Sequence, residues 1–241
     1  MEPVSTAPLV FICGMFRSGS TLLEQALAAH PALTAGGEID YFQRQICPFP
    51  AALPEFEAER LRQVGQGYLD YLATTFDGEA RVINKRPDNF FCIGMLLALY
   101  PDARFIISSR EPLDNCLSLY FQSMEASQRQ ANDLLAAGHY YLQYQRLVHH
   151  WQGLAANRLL QVQYENLVTR PREVLGEALA FLQLDWHDDC LQFQRASGRV
   201  RTASVHQVRQ PLYQRASGRW RHYARQLEQL AAYLQSQPNP D

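Results

Sequence analysis

The stretch "FICGMFRSGSTLLEQAL", residues 11–27, runs from an apolar segment through a glycine-bounded loop into a helical pattern without a break. A continuous apolar run that ends on a glycine loop is a buried strand, and the helix behind it must pack back on that strand. The junction also aims several backbone N–H groups, together with the positive end of the helix dipole, at one point. Ser20 and Thr21 add hydroxyl donors, and Arg17 adds a guanidinium fork that suits phosphate or sulfate oxygens. The loop therefore binds an anion. In the nucleotide-triphosphate pattern G-x-x-x-x-G-K-[ST], Gly14, Gly19 and Thr21 match, but Ser20 stands where the lysine belongs and Arg17 sits inside the loop.

What the loop lacks narrows the anion. Triphosphate enzymes use the lysine to reach the γ-phosphate and a strand-end aspartate to hold Mg²⁺. The strand-like runs here end near Asn84 and Lys85, at Ser108 and at Gln163, none of them an aspartate. The two gaps argue together against metal–triphosphate chemistry. A P-loop kinase or other nucleotide-triphosphate enzyme is the alternative reading.

"LVFIC" (9–13), "RVINK" (81–85), "RFIIS" (104–108) and "RLLQVQ" (158–163) read as strands, each followed by a turn or a helical pattern. Residues 20–30 place Leu22, Leu23, Ala26 and Leu27 on one helical face, with Ser20 or Thr21 near the N-cap and Pro31 as the stop. Residues 51–77 and 125–156 read as largely helical. Their aromatics, Tyr68, Tyr71, Tyr140, Tyr141, Tyr144 and Trp151, have the spacing of core residues more often than of a ligand box. The expected fold is α/β, a P-loop-type parallel sheet of four to five strands with helices on both faces and helical insertions. Residues 1–8 read as a flexible arm and 9–241 as a single domain. Right-handed crossovers put all strand C-terminal ends on one edge, where such sheets bind ligands, so the loops after Cys13, Lys85 and Ser108 should converge.

Charge and cysteine content exclude several classes. The net charge is −2, which favours neither a nucleic acid nor a membrane surface as partner. No run approaches the roughly 20 apolar residues of a membrane helix, and the N-terminus lacks the basic region of a secretory signal. The five cysteines are scattered and without a C-x-x-C pair, as expected for free thiols in a reducing cytoplasm, and no metal site is expected. His149 and His150 are adjacent, so on a helix they cannot face one metal together. Two biases stand out. Of the 22 basic residues, 21 are arginine and one is lysine, Lys85. Residues 195–225 carry eight arginines and no acid, half of a polyanion site or a nucleic-acid patch. A nucleic-acid module is thus a third reading, but it leaves Gly14 to Thr21 without a task. "QRASGRVR" (194–201) returns as "QRASGRWR" (214–221), a single local duplication.

A second anion site is written in "RFIISSREPLDNCLSLYFQ", residues 104–122. Arg110 stands just past a strand, Pro112 suits the first turn of the next helix, and Ser118 follows Arg110 by eight residues on that helix. A strand-end arginine and a helix hydroxyl can grip a second phosphate.

These residues resemble the sulfotransferases that use 3′-phosphoadenosine 5′-phosphosulfate (PAPS), above all the tyrosylprotein sulfotransferase-like branch found beside tetratricopeptide repeats in bacteria. "FRSGSTLLEQAL" resembles the family's 5′-phosphosulfate loop and "RFIISSREPLDNCLSLY" its 3′-phosphate motif, while "GGEIDYF", "INKRPDNF", "VQYENLVTRP" and "TASVHQVRQPLYQRASGRWRHY" follow in the family's order from about Phe11 to Tyr223. The resemblance implies sulfuryl transfer from PAPS to an acceptor hydroxyl, leaving adenosine 3′,5′-bisphosphate (PAP), without a metal. A donor that has no γ-phosphate needs no loop lysine.

The resemblance also implies roles. Arg17, Ser18, Gly19, Ser20, Thr21 and Leu22 would hold the 5′-phosphosulfate, with Arg17 on the sulfuryl and phosphate oxygens, and Arg110 and Ser118 the 3′-phosphate. Tyr164 would approach the adenine. Glu38 would be the base, with Asp40 as its rival, and Lys85 would stabilise the leaving group. Ser204 falls at the reaction centre of tyrosylprotein relatives and Arg219 where they carry a basic residue. Those relatives have an arginine three residues after the base, and Tyr41 stands there in this chain, so the acceptor stays open among a protein tyrosine and small-molecule, lipid or sugar hydroxyls. The expected partners are PAPS and that acceptor, with no nucleic acid and no membrane span. A tetratricopeptide-repeat partner and a homodimer fit the branch.

Overall fold

The computed structural model describes residues 2–4, 8–46, 58–76, 80–122, 129–195 and 217–236. Its centre is a parallel five-stranded sheet of β1 (Val10–Gly14), β2 (Leu33–Gly37), β3 (Arg81–Lys85), β4 (Arg104–Ser109) and β5 (Leu159–Gln163). The strand order is β2-β3-β1-β4-β5. All five residues of β1 are buried, which suits a central strand covered on both faces. It pairs with β3 from Val10↔Ile83 and with β4 from Val10↔Arg104 to Gly14↔Ser108.

Alternation along β1 divides the interior into two layers. Val10 and Ile12 face Leu23, Ala26 and Leu27 of α1 (Ser20–Ala28) and Val174, Leu175 and Ala178 of α8 (Pro171–Phe181). Phe11 and Cys13 face the opposite layer. That layer holds α3 (Ala58–Thr75), α4 (Ile93–Leu99), α5 (Pro112–Tyr120) and α6 (Leu134–Ala155), with the short α2 (Tyr41–Ile46) against α3. The ring of Phe11 stacks on that of Phe105 at 5.2 Å between centroids. The helical stretch expected over 51–77 is α3 within the described residues. Tyr68, Tyr141 and Tyr144 are buried in this layer, while Tyr71, Tyr140 and Trp151 pack on its edge, so these aromatics are core. The remaining helices are α7 (Tyr164–Thr169), directly after β5, and α9 (Glu228–Ser236), which lies on α6. Among the described residues no helix is long and apolar enough to cross a membrane.

Two local expectations are corrected. The sequence pattern marks no strand at "LTAGG", yet these residues form β2 at the sheet edge, in register with β3 from Leu33↔Arg81 to Ala35↔Ile83. Backbone pairing with β3 overrides a glycine-rich composition of low strand propensity. The α1 N-cap is Gly19, in left-handed conformation at φ 100° and with no side-chain cap bond, so Ser20 and Thr21 lie inside the first turn. Pro112 does begin α5, and Glu111 caps it by accepting the Asp114 N–H at 2.6 Å.

One buried carboxylate ties the C-terminal part of the chain to α5. Asp114 is 1% exposed, and its oxygens accept the N–H groups of Gly218 at 2.5 Å and Trp220 at 2.7 Å. Removing the carboxylate leaves both donors without it. Asp114→Ala should lower stability by about 3 kcal/mol in urea unfolding, and a loss under about 1 kcal/mol would show that the contact does not hold the segment.

Candidate active site

The loops after β1, β3 and β4 converge as the topology requires. The Arg86 N–H donates to Ile12 O at 3.1 Å, and Ser108 Oγ donates to Ser18 O at 3.1 Å. Gly14 lies so close to β4 that a Cβ there would sit 2.2 Å from Ser108 O. At Gly19, φ is +100° and a Cβ would meet the Tyr164 ring at 2.5 Å. Only glycine satisfies both the contact and the dihedral at these two positions.

Between them Arg17 adopts φ 69°, a left-handed conformation uncommon for a residue with a side chain. Neighbouring side chains over-determine it. Asn115 Nδ2 donates to Phe16 O at 2.7 Å, Arg110 Nη1 to Arg17 O at 3.2 Å, and Ser108 Oγ to Ser18 O. With three consecutive carbonyls held by β4, α5 and Arg110 between them, the loop cannot turn a peptide to present oxygen to an anion. Ser18 Oγ is buried and has no hydrogen-bond partner among the described residues.

The second anion motif joins the first directly. Arg17 Nε donates to Ser118 Oγ at 3.3 Å across 101 residues of sequence. Arg110 is 8% exposed, and its guanidinium lies 4.9 Å from the centroid of the Tyr164 ring. Tyr164 thus touches Gly19 of one motif and Arg110 of the other. Tyr144 and Tyr141 donate their hydroxyls to Ser108 O at 3.2 Å and Arg110 O at 3.1 Å, which fixes the end of β4. A cleft of about 480 Å³ opens beside Arg110, between Ser109, Pro112, Gln163 and Asn166.

At the end of β3, Lys85 is fully buried and its Nζ donates to Glu38 Oε1 at 2.6 Å. The Glu38 side chain is 37% exposed, so the pair reaches from the interior to the surface. Asp40, the rival base, points elsewhere and pairs with Arg44 at 2.7 Å. A relay of buried amides steadies β3 beside Lys85: Asn84 Nδ2 donates to Tyr68 Oη at 3.1 Å, Asn89 Nδ2 to Asn84 Oδ1 at 3.0 Å, and Gln43 Nε2 to Asn89 Oδ1 at 3.2 Å.

The sequence reading passed over Glu24. This α1 residue is 1% exposed, and its Oε1 accepts the Gly37 N–H at 2.8 Å. Burial raises its carboxyl to about 7, with Lys85 and the bonds from Gly37 and Gln25 pulling down and Glu38 pushing up. Periodicity held the signal: Ser20, Leu23, Glu24 and Leu27 fall at i, i+3, i+4 and i+7, so Glu24 sits in the buried stripe. The amide relay and the tyrosine hydroxyls left no such trace, because their partners come from other elements.

The remaining candidates are dispersed. Leu22 is half-buried against the α1–α8 layer. Arg219 is exposed and stacks on Phe121, just past α5, at 5.0 Å. Ser204, Cys47, residues 196–199 of the first "QRASGR" copy and 214–216 of the second lie outside the described residues.

Known proteins show the same arrangement of elements. The profile described as "Sulfotransferase family" matches residues 8–188. The chain belongs to the sulfotransferase family. Protein-tyrosine sulfotransferase 1 of Danio rerio is 27% identical over 83% of this chain and 60% of its own length. The chain spans only 32% of a longer Aquifex aeolicus relative, to which it is 31% identical. The sulfotransferase domain of the Synechococcus PCC 7002 olefin synthase superposes with TM-score 0.70 at 22% identity, covering 97% of this chain and 96% of that one. Mouse sulfotransferase SULT7A1 complexed with PAP gives TM-score 0.53 at 13% identity, over 96% of this chain and 86% of that one.

Glu24 imposes a pH dependence on the fold. A carboxyl that keeps its proton to higher pH in the fold than in the unfolded chain contributes fully below about pH 4.5, and that contribution is lost as pH rises through about 7. At about 1.4 kcal/mol per pH unit, the loss is on the order of 3 kcal/mol. Urea unfolding of Glu24→Gln should therefore fall less steeply between pH 5 and pH 8 than that of the parent protein; parallel curves would refute this.

Proposed function

We propose that the chain transfers a sulfuryl group from PAPS to an acceptor hydroxyl. The observation that carries the reading is the Arg17–Ser118 hydrogen bond, which makes a lysine-free glycine loop and the Arg110–Ser118 pair one continuous anion site. Two phosphate groups at a fixed separation are what such a site fits, and PAPS carries them on the 3′ and 5′ oxygens of its ribose. The buried Ser18 hydroxyl and the cleft beside Arg110 support the fit. PAP in the mouse relative supports the same donor. The sulfotransferase relatives lend the kinase alternative no support.

Each side chain then has a task. Arg17, the Ser18 hydroxyl and the N–H groups of residues 19–22 hold the phosphosulfate, and Arg110 and Ser118 hold the 3′-phosphate, with Tyr164 packed beneath Arg110. Glu38, at the boundary between interior and solvent, accepts the proton of the acceptor hydroxyl. Lys85 faces the same centre and neutralises charge that grows on the leaving 5′-phosphate. In-line transfer asks little more than position and charge. The tyrosine sulfotransferase relatives favour a phenolic acceptor. Tyr41, in the place of their arginine, argues against a strongly acidic peptide around it. Cys13, Cys116 and Cys190 are buried and form no disulfide among the described residues, which supports a reducing, cytoplasmic setting.

PAP with EDTA should raise the unfolding temperature, where ATP with Mg²⁺ does not. At a hundred times its dissociation constant PAP stabilises by about 2.7 kcal/mol, and Arg110→Ala should abolish the shift. Stabilisation by ATP with Mg²⁺ alone would overturn the reading. Lys85→Met should bind PAP yet sulfate 4-nitrophenol or a tyrosine peptide about 10² to 10⁴ times more slowly; an unchanged rate would remove Lys85 from the mechanism.

A further inference from the structure

We propose that Glu24 is a positioning residue of the transfer centre, which holds the Gly37–Glu38 turn from inside helix α1 so that Glu38 meets Lys85. This rests on the sulfotransferase reading above. Gly37 has φ +69° and belongs to the bulged end of β2, where an edge strand leaves its register. Such an exit has few ladder bonds to fix its direction. Among the described residues the side chain that grips it is Glu24, whose Oε1 takes the Gly37 N–H at 2.8 Å, one residue before Glu38. Glu24 is itself fixed, since α1 packs on β2 and β3 and its stripe is buried. Helix α1 therefore bears at its start the loop that receives the anion and, one turn on, the carboxyl that orients the base.

The charge of Glu24 matters as well as its reach. Lys85 is fully buried beside two carboxyls, Glu38 and Glu24. An ionised Glu24 competes for the ammonium with the leaving phosphate. A protonated Glu24 still accepts from Gly37 but leaves the Lys85 charge to Glu38 and the donor. Burial holds the Glu24 proton to about 7, and a bound polyanion favours the neutral form further. Several other charged groups on elements packed against α1 are paired away from Glu24, among them Glu173 of α8 with Arg170 and Asp189 with His187. Arg81, at the start of β3, donates to Leu182 O, and Arg172 of α8 pairs with Asp188. His187 and Asp185 meet His30, past the far end of the helix.

The chain offers an unusually clean test, because Lys85 is its sole lysine. Protein grown with lysine labelled with ¹⁵N at Nζ gives one ammonium signal. That signal should shift through an inflection near pH 7, and the inflection should vanish in Glu24→Gln. A flat titration, or the same inflection in Glu24→Gln, overturns the proposal. With PAPS and 4-nitrophenol, Glu24→Ala should lower kcat about tenfold with the KM for PAPS changed less than threefold, and Glu24→Gln should recover most of that loss. Wild-type kcat in a folded Glu24→Ala, or no recovery in Glu24→Gln, also overturns it. If Glu24→Ala does not fold, the Glu24→Gln titration decides. Failure of PAP to bind the parent protein would refute the donor reading instead, and leaves the Lys85 titration to be read on its own.

Discussion

The close approach of Gly14 to the end of β4 is the contact on which the rest of the site depends. A parallel sheet brings the ends of β1 and β4 side by side, but their backbones can touch only where no Cβ intervenes. Once they touch, Ser108, Arg110 and Asn115 are near enough to take three loop carbonyls in succession. The left-handed Arg17 is held in place by those bonds, and its side chain is delivered to Ser118. Strain at one residue is thereby offset by contacts along a whole strand–helix unit. A loop assembled in this way is rigid without a ligand, which is what the proposed charge stabilisation of a transition state requires.

A second set of constraints operates on the other flank of β1. Lys85 is buried without exposure because β3 is internal, and the amide relay from Tyr68 to Gln43 fixes the strand end around it. Glu38 comes from the edge strand β2, where pairing is one-sided and the register already shifts. The Lys85–Glu38 pair, the proposed transfer centre, thus spans a well-held strand and a poorly held one. A buried glutamate on α1 compensates for the weaker side, and burial keeps its proton near neutrality.

Much of this was legible in the residues. Hydrophobic runs marked four of the five strands, and the glycine spacing marked the loop. The interval between Arg110 and Ser118 marked a second candidate anion motif, and the solitary lysine marked Lys85 as a candidate. The edge strand β2 escaped, since "LTAGG" is held by its neighbour and carries no strand pattern of its own. Tyr141 and Tyr144 were legible as core but not as the donors that fix β4, because a hydroxyl's partner depends on where a distant helix crosses.

The chain by itself determined which groups are available: a glycine loop suited to an anion without a lysine, a second arginine–serine pair, one ammonium and two candidate carboxylates, Glu38 and Asp40. Local spacing suffices for these, because a strand, a turn and a helix start within a few residues of one another. Tertiary structure alone decided their connection. Arg17 meets Ser118 across 101 residues, Lys85 meets Glu38 across 47, and Glu24 reaches Gly37 across 13. The choice of Glu38 over Asp40 as Lys85's partner was decided there too, because it depends on which carboxylate the end of an edge strand turns inward, and only packing against α1 and β3 sets that direction.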